Sequence, residues 1–434
     1  MHVNGTGVSS PKPSPPEEED LARKTRPLKG RATALEVLPL DDEKTQETTE
    51  SVVSVNGDGS IRKLSDSEPP PLPQAPTDCF ARDEIMSWVL DHLDDFTSVV
   101  LSGAVGIGKT TIALTILHHD RVKAKFSNRY FMCCNGLANS LESFLMGLSD
   151  AIGFPSARSI EELRPHLVPR PPLLLVLDAV DCILDPMAGE SGKISTTIEE
   201  ICQYQNVCIL ATSRMAVSIP GLRSTEVPTL SGHGGHDIFY TLCHLNRSSA
   251  IDSLIGILDF HPLSIALLAR AACEKSWDEP RLQREWDDDR TGVLNFDNNQ
   301  GLATAIESVL AAPTIQKLGP PAHRILEAIA VFPEGMEERR FGRMFSTIDG
   351  VGEVINVLCR FYLVERHDGS VRMLSPFQFH FRQKTPMTLH VRHNGGNDDD
   401  PTVEEEEDIR CNNARAGPSP DLLAVLATGL TGTL

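Results

Sequence analysis

The sequence predicts an α/β fold: a parallel β-sheet with helices on both faces, followed by a helical domain and a winged-helix domain, between disordered termini. Three observations predict it. From Cys79 to about residue 232, apolar segments of strand length alternate with segments of helical period. The first strand runs directly into a glycine-rich turn and then a helix. Beyond residue 232 the strand signal gives way to helical patterns that close in a hairpin.

Strands are expected at 98–102 (SVVLS), 129–133 (RYFMC), 173–177 (LLLVL) and 207–211 (VCILA). LLLVL is a continuous apolar run, as a strand buried in a parallel sheet covered on both faces requires. Helical patterns lie between them at 110–118, 140–152, 160–167 and 196–204, and then at 248–259, 263–275 and 302–311. The block from about 320 to 382 carries HRILEAIAVF, then VGEVINVLCRFYLV, then a hairpin turning at Asp368-Gly369, a winged-helix pattern. The expected divisions are a disordered region over 1–76, a phosphate-binding domain over 77–232, a helical domain over 233–318, a winged helix over 319–382 and a disordered acidic tail over 383–434.

The termini follow from composition. Residues 1–76 contain PKPSPPEEED and EPPPLPQAP and few large apolar residues to offset the entropy of ordering. The proline run reads as a linker, with an extended helix for a small adaptor domain as the alternative. The tail carries NDDDP and VEEEEDI and reads as solvated chain; its final LLAVLATGL has no assigned role. The formal net charge of the 434 residues is −20, which argues against nucleic acid or an anionic membrane as a main partner. Ten scattered cysteines without CxxC spacing read as buried free thiols in a reducing compartment. No signal peptide pattern opens the chain and its apolar runs, such as LLLVL at 173–177, are far too short to span a bilayer, so a soluble cytoplasmic protein without membrane contact is expected.

The chemistry concentrates in SVVLSGAVGIGKTTIALTIL, 98–117. Gly103, Gly106, Gly108, Lys109 and Thr110 fit GxxxxGK[ST] in full, between a β-branched strand and a helix. Glycines let the loop, Ile107 included, turn backbone N–H groups toward phosphates, and the helix points its positive end at the same charge. Lys109 reaches the β- and γ-phosphates, the Thr110 hydroxyl ligates Mg²⁺, and Thr111 bonds near the α-phosphate. The sheet is thus expected to be that of a P-loop NTPase, with ATP or ADP and Mg²⁺ as ligands. Asp178 ends the apolar strand LLLVLD, at the strand end where open α/β sheets bind ligands, and is expected to hold the Mg²⁺ opposite Thr110. Asp181 is a candidate for positioning an attacking water, with a simple turn aspartate as the other reading. Thr212-Ser213-Arg214 ends the next strand and places a hydroxyl and a guanidinium for the γ-phosphate.

With these motifs in order, residues 79–382 resemble the STAND class of P-loop NTPases, and within it the NB-ARC family of nucleotide switches, in the form that fungal proteins join to tetratricopeptide or armadillo repeats. CFARDE at 79–84 resembles the family's F-x-GRE segment, which packs near the adenine and implies a nucleotide role for Arg82. GAVGIGKTT resembles its Walker A, LLLVLDAVD its Walker B and ILATSR its sensor segment. FHPLSIALLA at 260–269 resembles its GLPL motif, which implies that Pro262 touches base or ribose. The chain departs from the pattern at four places. Ala81 stands for the usual glycine, His261 precedes the GLPL proline, Ala179 follows Asp178 where a second acid is common, and Arg372-Met373-Leu374-Ser375 lacks the histidine of Met-His-Asp.

The resemblance implies an adenine-nucleotide switch with slow hydrolysis in intracellular signalling or immune-type recognition, self-associating through the nucleotide domain and acting on unknown protein partners. A nucleotide-binding scaffold without turnover is the alternative; a small-molecule kinase fits poorly, for no acceptor site or lid arginine cluster is visible. HHD at 118–120 reads as a helix end, SGHGGHD at 231–237 as a loop, and REWDDDR at 284–290 as a helix end and solvated turn, with partner docking through Trp286 as the alternative.

Overall fold

The computed structural model describes residues 69–154, 157–168, 171–295, 301–332, 334–345, 348–384, 388–392 and 406–410. Most of the two terminal regions, LLAVLATGL among them, lies outside the described residues.

Five strands, β1 (Ser98–Ser102), β2 (Asn128–Cys133), β3 (Leu173–Asp178), β4 (Val207–Ser213) and β5 (Leu222–Glu226), form one sheet in the order β2-β3-β4-β1-β5. All four pairings are parallel. Because β4 is inserted between β1 and β3, the carboxyl ends of these three strands lie side by side; Ser102 pairs with Ser213 and Leu177 with Ala211. Alternate residues of each strand face opposite cores. Val99, Leu101, Leu174, Val176 and Leu210 pack with α1 (Asp83–Asp94), α2 (Lys109–Leu117) and α3 (Asp120–Lys125), through Val89, Leu93, Ile112, Ile116 and Val122. Val100, Leu175, Leu177 and Ile209 face α4 (Leu141–Ala151), α5 (Ile160–Leu167), α6 (Asp181–Leu184) and α7 (Ser191–Cys202). Each such fully buried aliphatic side chain contributes about 1.5–3 kcal/mol relative to exposure.

The helices begin where the sequence supplies caps. Ser140 and Ser159 accept hydrogen bonds from the N–H of Ser143 and Glu162 at the starts of α4 and α5. Helix α2 differs: Gly108, in the left-handed region at φ 94°, precedes it and no side chain caps it, which leaves its first-turn N–H groups free of side-chain partners.

Seven helices follow: α8 (Gly232–Leu242), α9 (Ser249–Ile257), α10 (Pro262–Glu274), α11 (Glu279–Asp288), α12 (Arg290–Leu294), α13 (Leu302–Leu310) and α14 (Pro313–Leu318). The next block runs α15 (Pro320–Val331), β6 (Met336–Glu337), α16 (Glu338–Met344), α17 (Val351–Arg360), β7 (Glu365–His367), β8 (Ser370–Arg372) and α18 (Ser375–Lys384), with an antiparallel sheet in the order β6-β8-β7. The hydrophobic core on the α4–α7 side of the sheet continues without a break through both blocks. Among the described residues no helix is long and apolar enough to cross a membrane.

Several local expectations change. SGHGGHD is a helix start, not a loop: Ser231 caps the N–H of Gly234, and Ile238 and Phe239 bury the helix that follows. Gly235 permits this packing, since a Cβ there would sit 3.0 Å from the Phe260 ring. Trp286 is 1 % exposed and packs edge-on against Phe379, so it belongs to the core rather than to a docking surface. Residues 69–76 are not a free linker; Leu72 packs on the α1–α3 core and the Pro73 carbonyl meets His118 Nε2 at 2.8 Å. In the acidic tail, β9 (Thr388–Arg392) and β10 (Glu406–Arg410) pair antiparallel. All nine cysteines among the described residues are free, as expected, but Cys133 and Cys273 are exposed.

Candidate functional site

The site is built where β1, β4 and β3 end together. The loop 103–108 leaves β1 with Gly103, Gly106 and Gly108 at φ 150°, 77° and 94°, conformations that L side chains rarely adopt. Lys109 opens α2 and folds back across the loop: its Nζ donates to the carbonyls of Gly103 at 2.9 Å and Ala104 at 2.8 Å. Burial pushes the Lys109 pKa down to about 8, against the opposing pull of Asp181 and Asp178. The ammonium is still mostly protonated at neutral pH. It forms a concentrated positive charge at the amino end of a helix, an arrangement suited to an anion.

Opposite it, Asp178 ends β3 almost fully buried. Its Oδ1 accepts from Thr110 Oγ1 at 2.8 Å and from Thr212 Oγ1 at 2.5 Å. The Thr212 oxygen in turn accepts from the N–H of Ala179 at 2.9 Å, and Ala179 sits at φ 56°. A non-glycine residue in the left-handed region is strain that the surroundings must hold, a recurrent feature of ligand sites. Thr110 and Asp178 thus present two hard oxygen donors side by side, the donor type that suits Mg²⁺.

Arg214 follows β4, but in this structure it turns to Asp181. Its N–H and Nε donate to Asp181 Oδ1 and Oδ2 at 2.9 and 2.7 Å, its Nη1 donates to Ser308 Oγ of α13 at 3.0 Å, and its Nη2 lies 3.0 Å from Cys182 Sγ. Burial, then Asp181, pushes the Cys182 thiol up to about 11, so it stands neutral beside the guanidinium. Asp181, read from sequence as a water-positioning group, is therefore engaged on both oxygens as the partner of Arg214. Ser213 turns away, its hydroxyl donating to the Met215 carbonyl at 2.6 Å. Thr111 lies half-exposed in the first turn of α2.

The remaining sequence candidates surround the loop from outside. Arg82 is 6 % exposed; its Nη1 and Nη2 donate to the carbonyls of Pro228 and Ile107, both at 2.9 Å. Pro262 opens α10, half-buried between two residues that touch the loop. Leu263 N–H donates to the Gly106 carbonyl at 3.2 Å, and fully buried His261 meets the Val105 carbonyl through Nε2 at 2.9 Å. In the sequence His261 stands out only as a departure from a motif. Its adjacency to the proline was the one signal of a role.

One further contact ties this end of the sheet to the helices beyond. Asp185, 1 % exposed, accepts from the N–H of Thr314 at 3.0 Å through Oδ2 and from its hydroxyl through Oδ1. The N-cap residue of α14, Ala312, supplies no side-chain bond, so a carboxylate from the segment after β3 caps α14 across the fold. The sequence offered no signal for this pairing of residues 129 positions apart.

No family model and no curated protein matches this sequence. Among solved structures, a Walker-type ATPase of Pyrococcus abyssi is similar over 71% of this chain and 98% of its own, at TM-score 0.53 and 13% identity. A STAND protein with a tetratricopeptide repeat sensor from Pyrococcus horikoshii is similar over 74% of this chain and 44% of its own (TM-score 0.32, 15% identity), and the Aeropyrum pernix ORC1 protein over 71% and 94% (0.36, 15%). The first likeness shows the fold, a P-loop-like α/β sheet; the other two are too remote to add to it. The chain spans less than half of the Pyrococcus horikoshii protein.

Proposed function

We propose that the chain binds ATP and ADP with Mg²⁺ and acts as a nucleotide-dependent switch of the STAND class, in its NB-ARC form. Residues 77–232 would be the nucleotide domain, 233–318 the helical domain and 319–382 a winged helix, and the protein would act in the cytoplasm. The observation that carries the reading is the convergence of Lys109, Thr110 and Asp178 with an uncapped helix start and three positive-φ glycines at the ends of adjacent strands. Lys109 would exchange its two loop carbonyls for phosphate oxygens. Thr110 and Asp178 are the groups that would hold Mg²⁺, which neutralises phosphate charge when bound.

The switch rests on Arg214. Its guanidinium bonds both to Asp181 and to Ser308 of α13. A γ-phosphate, as a stronger anion partner, would draw Arg214 from these contacts and loosen α13, whereas a diphosphate would leave them in place. A ligand shifts such an equilibrium only by its differential affinity for the two states, and this contact would supply the difference. A nucleotide-binding scaffold without turnover is favoured by two observations: Asp181 is taken up by Arg214, and Ala179 rather than an acid follows Asp178.

The experiment is binding and turnover of radiolabelled ATP by the purified chain. Binding with slow product formation above the Asp178→Asn background supports the switch. Binding without product supports the scaffold, and absence of both ATP and ADP binding refutes either form.

A further inference from the structure

Three consecutive carbonyls of the phosphate-binding loop are each held from outside. Val105 O meets His261 Nε2 at 2.9 Å, Gly106 O accepts from Leu263 N–H at 3.2 Å, and Ile107 O accepts from Arg82 Nη2 at 2.9 Å. In a planar trans peptide the C=O of one residue and the N–H of the next point in opposite directions. Fixing these three carbonyls outward therefore fixes the N–H groups of Gly106, Ile107 and Gly108 toward the inner side of the loop. Among the described residues no hydrogen bond engages those three N–H groups. Three free backbone donors turned to one side of a glycine-rich loop form a ready anion cradle.

The His261 end of the clamp is chemically determined. A carbonyl can only accept, so Nε2 carries the ring proton and Nδ1 is the acceptor, 2.8 Å from the Ser264 hydroxyl. Burial holds the His261 pKa down to about 4, which keeps the ring neutral with that single proton. The fit is close. A Cβ on Gly106 would lie 2.8 Å from His261 Cε1 and 2.8 Å from Leu263 Cβ. The chain reaches the loop through Asp259 and Phe260, both at positive φ (51° and 53°), and the Phe377 ring of α18 packs edge-on against His261 at 5.7 Å.

We infer that His261 is a positioning residue for phosphate recognition, which together with Leu263 N–H and Arg82 presets the three loop amides that receive the nucleotide's phosphates. The inference rests on the proposed nucleotide-binding reading and adds that the start of α10 is a working wall of the site. It also moves Arg82 from direct contact with the ligand to the support of the loop.

The test is calorimetric titration of ADP into the full chain and its His261→Leu, His261→Gln and His261→Asn variants, with Lys109→Ala as control. Glutamine places an N–H donor near the position of Nε2; asparagine is too short, and leucine has none. The clamp predicts an affinity about tenfold lower for His261→Leu and His261→Asn, with His261→Gln restored to near the parent value. Parent-like affinity in His261→Leu overturns the inference, and so does an equal loss in all three variants, which would mean packing alone matters. Should His261→Leu not fold, the split between Gln and Asn decides in the same way. If Lys109→Ala binds as well as the parent, the nucleotide-binding reading itself fails, an outcome distinct from any His261 result.

Discussion

Gly106 and Gly108 offer a comparison in which one physical term is isolated. Both sit in the left-handed region, at φ 77° and 94°, so alanine at either position carries a similar backbone penalty of about 1–2 kcal/mol. They differ in what the new methyl group meets. At Gly108 nothing lies within 4 Å, whereas at Gly106 the Cβ would press on His261 and on the Leu263 Cβ and Cδ2 at 2.8–2.9 Å. Neither neighbour can yield cheaply, because His261 is pinned through both ring nitrogens and Leu263 sits in the first turn of α10. Overpacking of this kind costs a further 1–3 kcal/mol, roughly. Gly106→Ala should thus destabilise the chain by about 2–5 kcal/mol and Gly108→Ala by about 1–2 kcal/mol. Urea unfolding of the ligand-free variants, compared at constant m-value, reads the difference. Equal losses at the two positions would refute the packing of the loop against the start of α10.

Three further outcomes are expected. Affinity for ADP should be flat with pH below about 8 and should fall above it, up to about tenfold per pH unit. Lys109 is pushed down to about 8, and bound phosphate raises its pKa, so binding takes up a proton in that window; calorimetry at pH 7 to 9.5 checks this. In acid, His261 works the other way. Its pKa is lowered from its ordinary 6.5 to about 4, so its contribution is fully present above 6.5 and is lost as pH falls through 4, a loss that His261→Gln should remove from a stability profile between pH 7 and 4. Asp185→Ala should destabilise by about 1–3 kcal/mol and speed hydrogen exchange at the start of α14, because Thr314 N–H and the hydroxyl lose their buried partner.

The parts of the fold that carry their own local signal were readable in the sequence. β1, the loop and α2 follow from a β-branched run, a glycine spacing and a helical period; β3 and β4 follow from continuous apolar runs; Asp178 follows from its place at a strand end. The edge strand β5 was not readable, since LRSTE holds one large apolar residue and leaves every one of its side chains partly or fully exposed. Glycine content concealed α8, although those glycines let Ala81 and Phe260 approach the helix. Charged neighbours concealed Trp286 as a core residue. The contacts missed were all matters of long-range geometry. Nothing local pairs Asp181 with Arg214, or Asp185 with Thr314, and the use of Arg82 and His261 as props for loop carbonyls depends on backbone atoms that a residue pattern does not display.

In the proposed reading, Lys109 and the loop amides around it receive the phosphates of an adenine nucleotide. The most direct test is the ADP and Mg-ATP affinity of Lys109→Ala against the parent chain, with folding of both verified by urea unfolding. Loss of a buried charge-assisted contact of this kind predicts an affinity at least about tenfold lower, and near a hundredfold if two bonds are lost. A folded Lys109→Ala chain that binds both nucleotides as tightly as the parent would contradict the account.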